Sequence, residues 1–133
     1  MKLLSALFSF FIMIQFSWLQ QNKPLDQSIA DGSEIYQDFC LQCHLDTGEG
    51  VSGVFPPLAN SDYLLNDIDL SIKGIKYGLT GPIVVSDEEY DGVMVSQGLD
   101  DEEIADVMNY ILSSWGNKSD EIITPERVAQ ITE

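Results

Sequence analysis

Both cysteines and the single histidine of this 133-residue chain fall within five consecutive residues, Cys40-Leu41-Gln42-Cys43-His44. On a helix, two sulfurs three positions apart share one face, and the residue after the second lies beside them. This is the spacing by which c-type haem is attached: each thiol forms a thioether with one vinyl group of a single porphyrin, and the following imidazole is placed beneath the iron. Rival chemistries lack partners. A structural zinc site takes four Cys or His ligands, and only three exist here, crowded into one turn. A dithiol of the thioredoxin kind sits in a βαβ setting, whereas the flanking pattern is helical.

The length supports one small domain, and the hydrophobic fraction of 44% is raised by an apolar run at the N-terminus. A domain of this size buries proportionally little surface, so a porphyrin in its middle would serve as core as well as cofactor. Met1 and Lys2 followed by apolar residues 3–19 read as a secretory signal. No A-x-A-like cleavage site follows, so an uncleaved membrane anchor is the alternative. Either way the remainder faces the bacterial periplasm or an equivalent compartment. The expected plan is a signal peptide or anchor at 1–21, a linker at 22–30, a haem-binding domain at 31–116 and a C-terminal extension with a short helix at 117–133.

The formal charge of −16 disfavours nucleic acid and anionic lipid surfaces. A basic patch on a protein partner would be attracted, although solubility alone also explains acidic runs such as residues 100–103. Membrane contact is expected only if the N-terminal segment stays uncleaved.

Asp31 and Glu34 form a capping box that predicts a helix from Asp31. Ile35 with Phe39, and Tyr36 with Cys40, lie one turn apart and carry an apolar face into the cysteine block. Residues 45–60 hold Gly48, Gly50, Gly53, Pro56 and Pro57, too many breakers for regular structure. A metal-bound histidine donates its other N–H to a carbonyl or carboxylate, and Pro56 and Pro57 are the candidates for that carbonyl. Pro57 is counted among the cofactor-binding residues. A helical region over 61–77, broken near Asn66, sets Ile68, Ile72, Ile75 and Leu79 on one side, which would cover a haem edge. Gly78 and Gly81-Pro82 end it, and residues 83–90 suggest a small β-hairpin leading to Met94. Asp100 and Glu103 form a second capping box ahead of Ile104, Val107, Met108, Ile111 and Trp115, a stripe expected to pack on the first helix. Thr124-Pro125 opens a last short helix.

A second strong iron ligand separates electron carriers from gas-binding or peroxide-reducing haem proteins. With no other histidine, methionine is the candidate. Met1 and Met13 lie in the leader, and Met108 sits on a core stripe. Met94, in a weakly periodic loop between Gly92 and Gly98, is the expected distal ligand, with an open distal position as the alternative.

In order and motif the chain resembles the class I c-type cytochromes. The resemblance rests on Gly32 and Tyr36 before Cys40 to His44, then Gly48, Gly50, Pro56-Pro57-Leu58, Met94, and the final helix from Glu103 to Ile111. It implies an all-α fold whose N- and C-terminal helices cross near Tyr36, Val107 and Tyr110, around a buried haem c with one exposed edge. Residues 78–83 with Tyr90, the segment 114–117 and residues 123–128 are similar to cytochrome modules of bacterial periplasmic dehydrogenases that use quinone or flavin cofactors. One departure is Val95, where the family commonly has proline after the ligand methionine. It bears on the rigidity of the ligand segment, and hence on potential and Met lability.

The expected function is therefore a periplasmic, non-enzymatic carrier of single electrons. Its haem c iron would be held by His44 and Met94, with Cys40 and Cys43 as thioether anchors. The expected partners are redox proteins, a dehydrogenase or respiratory complex on one side and a terminal oxidase or reductase on the other. The alternatives are a haem sensor or ligand-binding protein, or a weak peroxidase.

Overall fold

The computed structural model describes residues 23–133, so the leader expected at 1–21 lies outside the described residues. Among the described residues no helix is long and apolar enough to cross a membrane. The elements run α1 (Leu25–Phe39), α2 (Leu41–His44), α3 (Asp62–Asn66), α4 (Ile68–Tyr77), β1 (Leu79–Val85), β2 (Glu88–Met94), α5 (Asp101–Ser113) and α6 (Pro125–Gln130). The fold is helical, with one two-stranded antiparallel hairpin, as the sequence predicts.

The first helix begins six residues before the expected cap. Asp31 lies inside α1, and residues expected in the linker form its opening turns. The cause is long-range. The Lys23 ammonium sits 2.9 Å from Asp31, 2.7 Å from Glu102 and 2.7 Å from Asp106, so the Asp31 carboxylate is drawn to a cation instead of to backbone N–H groups. The buried face also differs from expectation. Ser28, Gly32 and Tyr36, four residues apart, form the stripe against α5, while Phe39 is exposed.

Helix α5 keeps its predicted start. The Asp100 carboxylate accepts from the N–H groups of Glu102 and Glu103 at 2.9 Å each, and the Asp100 N–H donates to Glu103 Oε2 at 2.8 Å. Such a cap is worth about 1 kcal/mol. Ile104, Val107 and Met108 are fully buried, together with Ile72 of α4 and Val128 of α6. Burying one such side chain contributes about 1.5–3 kcal/mol. Met108 is thus core, as expected. Thr124 caps α6 by accepting from the Arg127 N–H, with Pro125 at the first helical position.

The predicted break near Asn66 is present, and Asp67 caps α4 by accepting from the Leu70 N–H at 2.9 Å. Leu79 is not part of this helix. Gly78 turns the chain at φ +91°, and Leu79 opens β1. The hairpin pairs Leu79 with Met94, Ile83 with Tyr90 and Val85 with Glu88. Ser86 and Asp87, with φ +52° and +65°, make its two-residue turn of the left-handed kind that suits strand twist. An isolated hairpin is marginal in water, and this one is tied down where the Ser86 N–H donates to Asp62 Oδ1 at 2.8 Å.

Candidate haem site

Cys40 is the joint between α1 and α2. Its N–H donates to the Tyr36 carbonyl at 2.9 Å, and its own carbonyl accepts from Cys43 at 3.1 Å and from His44 at 2.9 Å. One tight turn therefore holds both sulfurs and the imidazole. The two cysteines are not joined to each other in a disulfide. Burial, reinforced by the neighbouring Cys43, pushes the Cys40 thiol up to about 11. A dithiol oxidoreductase needs the opposite shift, because the thiolate is its nucleophile.

His44 is buried, and its Nδ1 lies 3.0 Å from the carbonyl oxygen of Pro56. A carbonyl only accepts, so Nδ1 carries the proton, and the lone pair is on Nε2. Burial holds the imidazole below its usual range, against the smaller upward pull of the Pro56 bond, which favours the neutral ring that a metal requires. Of the two prolines expected to supply this carbonyl, Pro56 does so. Pro57, singled out from the sequence, lines the apolar cavity instead.

The loop that presents Pro56 is shaped by left-handed residues and close approaches. Gly50 has φ +63°, its N–H donates to the His44 carbonyl at 3.0 Å, and a Cβ there would meet the Phe55 oxygen at 2.3 Å. The Gly48 carbonyl accepts from Leu58 at 2.7 Å and Ala59 at 2.9 Å, folding the loop onto itself. Behind it, Tyr36 donates to the Leu45 carbonyl at 2.7 Å and packs against Tyr110 and Trp115, with ring centroids 5.4 and 4.9 Å away.

Asn117 pins this loop to the end of α5. Its Oδ1 accepts from the Asn60 N–H at 2.7 Å, and its Nδ2 donates to the carbonyls of Leu58 at 2.9 Å and Ile111 at 2.8 Å. In the sequence Asn117 stands out only as part of the segment 114–117 that resembles dehydrogenase cytochrome modules, with no role of its own. Its partners at 58 and 60 are distant in the chain, so local pattern carries no sign of the role.

Two adjoining apolar cavities meet between α2, the proline loop, α4 and the hairpin. Cys40 lines one and Cys43 the other, while His44, Pro56, Leu79, Ile83 and Met94 line both. Met94 is the last residue of β2 and not part of a loop as the sequence suggests. Strand pairing with Leu79 turns its side chain toward the same cleft as Ile83 and Tyr90. Leu70, Ile75 and Leu79 supply the wall expected of the second helical region, whereas Ile68 and Ile72 turn into the core. Two sulfurs on one turn, an imidazole with its Nε2 lone pair available, a thioether and apolar walls suit a flat porphyrin.

The sequence profile of the cytochrome c family matches residues 29–115. The cytochrome c-552 of Thermus thermophilus is 43% identical over 93 residues, covering 66% of this chain and 70% of that protein. The cytochrome c subunit of the quinone alcohol dehydrogenase of Gluconobacter oxydans is 32% identical over 92 residues, and the fructose dehydrogenase cytochrome subunit of Gluconobacter japonicus is 33% identical over 94. Each of these two alignments covers 66% of this chain and 19% of the subunit, so the chain spans about a fifth of their length. With the helical fold, the single Cys-x-x-Cys-His block and these relatives, the chain belongs to the cytochrome c family, as a class I member carrying one covalently bound haem c with its iron.

Proposed function

We propose that the chain is a periplasmic single-electron carrier in which Cys40 and Cys43 would anchor the haem, and His44 and Met94 would ligate its iron. The observation that carries this reading is the hydrogen bond from His44 Nδ1 to the Pro56 carbonyl, on a ring lining the same apolar cleft as Met94. When bound, haem c supplies a one-electron couple between ferric and ferrous iron.

The residues do the rest. Pro56 fixes the tautomer and plane of His44, so the Nε2 lone pair is directed before any ligand arrives. The soft Met94 sulfur favours the reduced state and so raises the potential. Ligands held by the same scaffold in both oxidation states keep nuclear rearrangement small. Apolar Leu58, Leu64, Leu79 and Ile83 exclude water from the cleft. At its mouth, beside Cys43, Val54, Val93 and Val95 are 54%, 71% and 65% exposed. They form an apolar contact surface on an acidic protein, which suits brief encounters with a redox partner.

The partners of this reading are a dehydrogenase or respiratory complex as donor and a terminal oxidase or reductase as acceptor. That several relatives are named as cytochrome subunits of dehydrogenases supports the donor side. No enzymatic role is assigned to the chain.

The test is expression with periplasmic haem-attachment machinery, followed by oxidised and reduced spectra with and without carbon monoxide. The carrier reading expects covalently held pigment, reversible reduction and spectra that carbon monoxide leaves unchanged. Rapid carbon monoxide binding to the reduced protein would instead establish an open distal position and a sensing or peroxidase role.

A further inference from the structure

Glu88 opens β2 directly after the hairpin turn, and each of its carboxylate oxygens holds a different wall of the cleft. Oε1 accepts from the Ser52 hydroxyl at 2.6 Å, and Oε2 accepts from the Tyr90 hydroxyl at 2.8 Å. Ser52 sits at the tip of the loop that reaches Pro56 four residues later, and Pro56 orients His44. Tyr90 is buried in the strand that ends at Met94 four residues later, and it lines the cleft beside Met94. The walls come close at a second point, where a Cβ at Gly92 would lie 3.8 Å from the Val54 carbonyl oxygen. Hydrogen bonds from Ser52 first, then Tyr90, hold Glu88 below the usual carboxylate range, so it is charged at neutral pH, and charge-assisted bonds are the stronger kind.

We propose that Glu88 is a positioning residue: by joining Ser52 on the His44 side to Tyr90 on the Met94 side, its carboxylate fixes the width of the cleft and resists displacement of the Met94 thioether. The inference rests on the reading of His44 and Met94 as iron ligands. A bridge of this kind also bears on Val95. Where the family commonly has proline after the ligand methionine, this chain has Val95, which is exposed. Glu88 braces the same strand from its other end.

The test uses matured ferric holoprotein and imidazole, a strong nitrogen donor that competes with a thioether for iron. Binding is followed by absorbance. Glu88→Ala is expected to tighten imidazole binding about tenfold, the scale of one or two lost hydrogen bonds, and Ser52→Ala about threefold. Glu88→Gln is expected to fall between the parent and Glu88→Ala, because its amide can accept from Ser52 and donate to the Tyr90 oxygen but without the charge. Lys23→Met is the control for general loss of stability, since the partners of Lys23 do not line the cleft, and it should leave imidazole binding unchanged.

Parent-like binding by Glu88→Ala overturns the proposal, as does Glu88→Gln behaving like Glu88→Ala, or Lys23→Met matching it. If Glu88→Ala yields no holoprotein, Ser52→Ala decides alone, and unchanged binding there overturns the bridge. Met94→Ala separates the two levels of the argument. Imidazole affinity unaltered by Met94→Ala refutes the ligand assignment, whereas a site opened by Met94→Ala but not by Glu88→Ala refutes only the bridge.

Discussion

Asp106 of α5 occupies with its carbonyl oxygen the space in which a side chain at Gly32 of α1 would begin: a Cβ there would lie 2.0 Å from that oxygen and 2.9 Å from the Val107 nitrogen. The two helices therefore touch backbone to backbone one turn before the rings of Tyr36 and Tyr110 meet. Gly32→Ala must push them apart, loosening the packing of Tyr36 and Val107 together. We expect a loss of about 3 kcal/mol, the upper end for overpacking a close contact, measured by denaturant unfolding of the holoprotein. Unfolding midpoints equal to those of the parent would refute a close crossing at this point.

Met94 is the distal ligand in the function proposed here. Met94→Ala should abolish the weak red charge-transfer band of ferric His/Met haem, lower the reduction potential and allow carbon monoxide to bind the reduced protein. Persistence of the band would show that another group completes the coordination.

Lys23 links acid stability to the helix crossing. Its ammonium holds Asp31 below the ordinary carboxylate range, helped by Gln27. A carboxyl whose folded pKa is depressed contributes stability above its unfolded value of about 4 and loses it as pH falls through the folded value. Lys23 itself is shifted upward by Asp106, Glu102 and Asp31, against the opposing cost of its burial. Its own contribution is present at neutral pH and is lost only as pH rises through the raised folded value. Stability should thus hold through neutrality and fall below about pH 4. In Lys23→Met the acid slope should be shallower, which urea midpoints from pH 7 to pH 3 would measure.

Charge should govern encounter rates. Of the five described lysines and arginines, three, Lys23, Lys76 and Arg127, are paired with carboxylates, on a chain of formal charge −16. Reduction of the ferric protein by a cationic inorganic complex should slow several-fold, roughly as screening shortens the Debye length, between low and physiological salt. An anionic complex should show the reverse trend. Rates insensitive to salt with both reagents would mean that the acidic surface does not steer approach to the cleft.

How much was legible follows from the range of the interactions involved. Both capping arrangements whose partners lie three residues apart and remain local, Asp100 with Glu103 and Thr124 with Arg127, form as the sequence predicts. The Asp31 cap does not form, because a cation eight residues earlier competes for the carboxylate. Pro56 and Pro57 are chemically alike, and only the path of the loop chooses which carbonyl meets His44. Leu79 and Met94 look like helix and loop residues until each is paired with the other across the hairpin.

From its sequence alone the chain declares what it binds, because thioether attachment and the proximal imidazole need only residues within one helical turn. Tertiary structure decides how that group is enclosed. The wall beside Met94, the carbonyl behind His44, the clasp of Asn117 and the Glu88 bridge each join residues that are far apart in the chain or that face one another only after the strands pair. Their geometry comes from packing and hydrogen bonding across the fold, to which no local pattern is sensitive.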